Sequence, residues 1–387
     1  MVKGRVVCVI DSNTELDRAF DVVVTEVEQG LLENAFNSVN NLCLLYPQSD
    51  RVWQAYGVIA SKLERFEEGR RGFCRAVSLA PFNAQLYLDL SQMYENQDKL
   101  ELARACLKTA ISLEPSKQEN RQRYAQFLIK NKDFDEAKSV LDFSQYPNDK
   151  FRDDYWKRIN DFKYNKNFAE LLSLGQELLL KGVRDPRLNY QMAVAFQNFN
   201  GIEEVITQLR EVVVAMPAFA GAHKGLADYL KQSVILQKIV KLPLSDIFER
   251  SETKDFLTQL GEAEAHYRIS LAYDPYEFET YVYYGNLMRQ LGKFKKALKL
   301  YQSAVAIQPD NANAHYNLAS LYLELNENDP ALNEINVTIE LDTSFSEAHF
   351  VRAHLLSLLG KNLDAGTCFL SSMKFQPKFS TEAYFLD

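Results

Sequence analysis

Large and small apolar positions recur along this chain at helical spacing, and the pattern restarts every 34 residues. In its clearest stretch, large residues stand at Tyr281, Tyr284 and Met288 beside a small Gly285, and Ala297, Tyr301 and Ala304 follow before Pro309. This predicts two helices per stretch, with large side chains on the first and small ones where the second crosses it. Pro47, Pro81 and Pro115 stand 34 apart, as do Pro275 and Pro309, and Pro217 and Pro377 fall on the same beat. Proline cannot extend a helical hydrogen-bond ladder, so each one predicts the end of a second helix and the turn into the next pair. A period of this length predicts hairpins too small to bury their own apolar faces, which stack to form a shared core.

Stepping by 34 places unit starts at 16, 50, 84, 118, 152, 186 and 220, and the beat resumes at 278, 312 and 346. The unit from 220 is 58 residues long, an excess of 24 that lies at about 233–258. Pro243 must break the helical spacing there, and the segment reads either as a lid over a groove or as a longer hairpin on the outer face. The unit from 152 follows the pattern least, with Gly175 at an aromatic place and Val183 where the proline should stand. His223, His315 and His349 occupy the fourth place of their units, where Trp53, Tyr87, Tyr155 and Tyr281 stand in others, and are expected to replace those rings in packing.

The arrangement resembles the tetratricopeptide repeat, whose signature sets a large aromatic, Leu-Gly, Tyr, then Ala, Phe, Ala and Pro at these intervals. The copy from Asp50 carries Trp53, Gly57, Phe73, Ala76 and Pro81, and the next carries Tyr87, Leu90, Tyr94, Ala103, Leu107, Ala110 and Pro115. The resemblance implies an all-α fold: a right-handed α-solenoid superhelix of stacked antiparallel helix pairs over residues 16–379. Residues 1–15 form an N-terminal extension and 380–387 a C-terminal tail that starts an uncapped helix. It also implies that the first helices line a concave groove holding an extended peptide or a partner's helix. Carried over by place, Tyr190, Lys224, Tyr316 and Phe350 fall at the fifth position, Tyr283 and Asn317 at the sixth, and Asn286 and His354 at the ninth. The aromatic ones are expected anchors, since rigid rings contribute area at little entropic cost. The family's clamp for chaperone carboxylates is not matched, because Val282 stands where a Lys is needed, and its asparagine ladder is represented by Asn317 alone.

Composition changes this picture little. A formal charge of −8 and a pI near 5.4 argue against nucleic acid as partner, and residues 259–387 hold 10 Lys and Arg against 16 Asp and Glu, which favours a neutral to basic polypeptide. The apolar run from Val6 to Ile10 is too short for a secretory signal, no stretch is long enough to span a membrane, and a cytoplasmic location is expected. Cys8, Cys43, Cys74, Cys106 and Cys368 lack paired-ligand spacing, so neither disulfides nor a zinc site is expected. No catalytic, metal or cofactor constellation emerges. The expected function is a non-catalytic protein-protein interaction scaffold. The alternative is a targeting module of a larger enzyme, a transferase or oxygenase, whose catalytic domain lies outside this chain. The uncapped end after Pro377 leaves three readings: a frayed end, cover by a partner or by self-association, or a longer protein.

Overall fold

The computed structural model describes residues 12–141, 149–199, 201–241 and 251–375. Among these there are twenty helices and no strand. They run as pairs: α1 (Ser12–Glu28) with α2 (Leu32–Leu45), α3 (Asp50–Lys62) with α4 (Phe66–Leu79), α5 (Ala84–Asn96) with α6 (Leu100–Leu113), and α7 (Gln118–Lys130) with α8 (Phe134–Val140). Next come α9 (Asp149–Tyr164) with α10 (Phe168–Leu180), α11 (Pro186–Gln197) with α12 (Ile202–Ala215), and α13 (Ala220–Lys241) with α14 (Ser251–Tyr273). The last three pairs are α15 (Phe278–Gln290) with α16 (Phe294–Ile307), α17 (Ala312–Glu324) with α18 (Asn328–Leu341), and α19 (Ser346–Leu358) with α20 (Asn362–Phe375). The tail from 376 and part of the long excursion, residues 242–250, lie outside the described residues, while α13 and α14 carry helix into both flanks of that excursion.

Local chemistry restarts each pair in register. Ser49, Asn83, Asp185, Glu277 and Asn311 cap first helices by accepting a backbone N–H from two or three residues downstream. The turn inside eight of the ten pairs uses a left-handed residue on the same beat: Gly30, Glu64, Asp98, Lys132, Lys166, Gly292, Asn326 and Gly360 all have φ between 57° and 77°. Five of these eight are not glycine and accept a steric cost that only the surrounding packing can hold in place.

A second device joins one pair to the next. In seven of the units the fourth residue bonds to the carbonyl six residues upstream: Trp53 Nε1 to Pro47 O at 2.9 Å, Tyr87 Oη to Pro81 O at 2.9 Å, and Arg121 Nε to Pro115 O at 2.6 Å. Tyr281 Oη reaches Pro275 O at 3.2 Å, while His223, His315 and His349 meet the carbonyls of Pro217, Pro309 and Thr343 through Nε2 at 3.1, 3.0 and 2.9 Å. A carbonyl only accepts, so each Nε2 carries the proton. Four chemically different residues are interchangeable here because each projects a donor from a bulky side chain. The histidines therefore do the work of the rings they replace.

Glycine allows close approach both within a pair and between pairs. A Cβ on Gly285 would meet the Tyr301 ring at 2.5 Å, and one on Gly175 would meet Met192 Sδ at 2.5 Å. The latter contact accounts for the weak pattern of the fifth unit: Met192, from the following helix, fills the space over Gly175. Cys43, Cys74, Cys106 and Cys368 are buried free thiols, and burial pushes Cys43 up to about 12, which keeps it unreactive; Cys8 lies outside the described residues.

Contacts divide the chain into two compact units, Met1–Tyr229 and Leu230–Asp387, with the division inside α13, whereas the pattern alone reads as one body. In the first unit the stack does more than pair neighbours. Ala218 N donates to Thr109 Oγ1 at 3.2 Å, and Phe82 packs against both Tyr190 and Phe219 at ring-centroid distances of 5.5 and 5.8 Å. The segment from α4 to α6 therefore touches α11 and the turn after α12, skipping the pairs between.

In the second unit Glu264 ties α14 to α16. Its carboxylate accepts from Lys293 Nζ at 3.0 Å, Lys296 Nζ at 2.5 Å and Tyr284 Oη at 3.2 Å. Burial works against the charge, but the hydrogen bonds from Lys296 and Lys293 outweigh it and hold the group at about 2 against an ordinary 4.5. A depressed folded-state pKa stabilises above the unfolded value and is lost as pH falls through the folded one. A Glu264→Gln variant should thus melt below wild type at neutral pH, with the gap closing between about pH 4.5 and about pH 2. Melting curves across that range check it; a gap independent of pH would mean the three contacts do not hold the charge.

Candidate functional site

Six of the eight residues singled out above stand on first helices of the second unit, Tyr283 and Asn286 on α15, Tyr316 and Asn317 on α17, and Phe350 and His354 on α19. Asn286 on α15 accepts from Tyr301 Oη through its Oδ1 at 2.6 Å, which fixes the amide plane and leaves its N–H groups as donors. Beside it lies a cavity of about 510 Å³ lined by Lys231, Asn286, Arg289, Gln290, Phe294 and Glu324. Arg289 and Glu324 form a two-pronged ion pair from α15 to α17, with Arg289 Nε 2.9 Å from Glu324 Oε2. Tyr283 is half-buried, and the Lys231 ammonium stands 5.5 Å from its ring centre.

Further along, Tyr316 is half-buried edge-on against Phe345 at 5.0 Å, and burial pushes its hydroxyl pKa up. Asn317 Nδ2 donates to Asn313 O, one turn back in its own helix, at 2.9 Å. Phe350 is 43% exposed and tilted against Phe369, and His354 is exposed one turn on. In the first unit the picture differs. Tyr190 is held between Phe82 and Phe219, 5.5 and 5.2 Å away, and burial raises its hydroxyl pKa, with the nearby Lys224 charge opposing. Its ring already has partners inside the chain, because α11 docks against the end of the second repeat.

A polar groove also runs between α5 and α7, about 310 Å³ lined by residues that include Leu88, Asp89, Gln92 and Arg123. Gln54 Nε2 reaches Asp89 Oδ2 there at 2.6 Å. Pattern reading missed Arg289, Glu324 and Asp89. The signal was present: Arg289 and Glu324, like Gln54 and Asp89, stand 35 residues apart, one period plus one, the offset at which consecutive first helices face each other. Among the described residues no group of three or more His, Cys, Asp or Glu could hold a metal ion, and no helix is long and apolar enough to cross a membrane.

Comparison with known proteins adds the following. Profiles described as "TPR repeat" and "Tetratricopeptide repeat" match residues 285–326 and 84–117. The chain is 35% identical over 79 residues to "Essential for maintenance of the cell wall protein 1" of Saccharomyces cerevisiae, a stretch that is 20% of this chain and 9% of that protein. It is 30% identical over 106 residues to "DnaJ homolog subfamily C member 3" of Bos taurus, 27% of this chain and 21% of that one. The matched stretches are thus a small part of these relatives' own length. Among solved structures, MamA from Desulfovibrio magneticus RS-1 aligns with a TM-score of 0.41 at 15% identity, over 51% of this chain and 97% of that one.

Proposed function

We propose, starting from a chain that carries tetratricopeptide repeats and hence serves as a protein-interaction scaffold, that the first-helix face of the second unit binds an extended segment of a partner polypeptide. The observation that carries this reading is the cavity beside Asn286. A fixed amide with free N–H groups can hold a backbone carbonyl of the partner, which gives affinity without demanding one sequence. Phe294 and Phe350, 37% and 43% exposed, offer apolar contact area to such a segment. Tyr316, Asn317, Tyr283 and His354 line the same helices and shape the path, and the acidic balance of residues 259–387 favours a neutral to basic segment. Tyr190 and Lys224 are proposed as a separate contact belonging to the first unit, weaker for Tyr190 because its ring is already packed.

Panning a random peptide library on the whole chain tests this. Enriched peptides should bind a Phe294→Ala, Phe350→Ala variant at least about tenfold more weakly while its melting temperature stays close to wild type. Peptides that bind both proteins equally, or a library from which nothing is enriched, would remove the assignment.

A further inference from the structure

The second residue of the second helix is charged and exposed in most units, as at Glu67, Glu101, Asp135, Glu203, Lys295 and Asp329. In α20 the same place holds Leu363, 91% exposed. The ninth residue of that helix is polar in α10, α12, α16 and α18, where Gln176, Arg210, Gln302 and Asn336 stand, and in α20 it is Leu370, 66% exposed. A further stacked pair does not account for Leu363, because Lys295 and Asp329 stay in water although another pair follows each of them. Two leucines at solvent places of the repeat therefore call for a cover of another kind.

Leu363, Gly366, Leu370 and Met373 stand three, four and three residues apart, the spacing that sets a single stripe against a facing helix. Gly366 is a notch in that stripe, with no described atom within 4 Å of a Cβ built on it. Phe369 borders the stripe and is 45% exposed. Asp364 lies in the first turn of α20 and Lys374 in the last, so the helix has an acidic and a basic end.

We propose that this face binds the same face of a second copy of the chain, with the two α20 helices antiparallel about a two-fold axis. The stripe is complementary to itself in that orientation. Leu370 of each copy enters the Gly366 notch of the other, and Leu363 meets Met373 in the same register, since both pairings share a midpoint at residue 368. A parallel copy would set Gly366 on Gly366 and leave a void. The acidic end of each helix comes beside the basic end of the other. A lipid surface fits less well, because anionic lipid favours several basic residues and α20 carries Lys374 alone. Covering the stripe and Phe369 in both copies removes about 1,000 Å² from water, the lower limit for a specific interface, so the dimer is weak and concentration-dependent. The inference does not rest on the first-helix face described above.

The test is the solution mass of the whole chain from about 1 to about 200 μM, the range in which a micromolar dimer forms. Wild type should rise with concentration from 44.5 kDa toward twice that mass. Leu363→Glu, Leu370→Glu, which returns polar residues to the solvent places, should stay at 44.5 kDa throughout with unchanged helix content. Gly366→Leu adds apolar surface where a Cβ meets nothing described, so association through apolar area alone would strengthen. Filling the notch should instead weaken the dimer at least about tenfold. A wild-type mass fixed at 44.5 kDa, which would leave the face to residues 376–387 or to a partner of another sequence, overturns the proposal. So does association that survives the double glutamate variant or is undiminished in Gly366→Leu.

Discussion

Replacing Gly72 by leucine should unfold the second repeat, at a cost of more than about 3 kcal/mol. A Cβ at Gly72 would lie 2.7 Å from the Gly57 backbone nitrogen and 2.9 Å from its Cα. Those are backbone atoms of α3 and cannot swing aside. Gly57 in turn is covered by the Phe73 ring, which a Cβ there would meet at 2.8 Å. The α3–α4 crossing is thus built with no side chain between the two backbones, and any substituent forces the helices apart and strips Phe73, 1% exposed, of its cover. Ordinary overpacking costs about 1–3 kcal/mol because side chains can repack; here they cannot. Gly261, midway along α14, makes the matched control, since nothing lies within 4 Å of a Cβ built on it. Gly261→Ala should therefore stabilise by up to about 1 kcal/mol through helix propensity alone. Repeat arrays need not unfold in one step, so the readout is far-ultraviolet melting together with limited proteolysis of α3 and α4. A Gly72→Leu chain that resists both as wild type does would mean the crossing is not as close as described.

The helix pairs were legible in the sequence for the same reason that Gly72 is sensitive. Small residues at crossings, prolines at exits and caps at entries each act locally, so the 34-residue beat carried them. Even the poorest unit keeps its pair, because Met192 supplies from the next helix what Gly175 omits. What the beat could not carry are contacts between units several periods apart. Nothing at Phe82 or Thr109 announces that Phe219 and Ala218 will lie against them, since that proximity depends on how small rotations accumulate through the intervening pairs. The repeat pattern gives Tyr190 its position on the first helix and nothing about its surroundings, which a distant repeat supplies. The candidate site was legible as a set of first-helix positions and not as a cavity. Asn286 was visible, but its fixation by Tyr301 and the Arg289–Glu324 bridge depend on side-chain direction across two helices.

Arg121 was missed altogether, because arginine at a ring's place looks like a break in the pattern. It is 2% exposed, among the largest side chains buried so completely, and it holds two backbone carbonyls at once. Its Nε meets Pro115 O at 2.6 Å, as the sister rings do, and its Nη1 reaches Val140 O at the end of α8 at 3.2 Å. That second bond matters because α8 is only 7 residues long and has no side-chain N-cap bond. Arg121→Leu should cost about 1–3 kcal/mol: two part-buried acceptors lose a charged donor, offset in part by water reaching them and by the cost of burying the guanidinium. Arg121→Tyr should recover the bond to Pro115 and not the one to Val140, so it should retain the junction before α7 while still loosening α8. Hydrogen exchange separates the two effects. In Arg121→Leu, amides of both α7 and α8 should exchange faster, whereas in Arg121→Tyr the acceleration should be confined to α8. If both variants exchange alike, the two carbonyls are not held independently, and the equivalence of arginine with the rings at the fourth place fails.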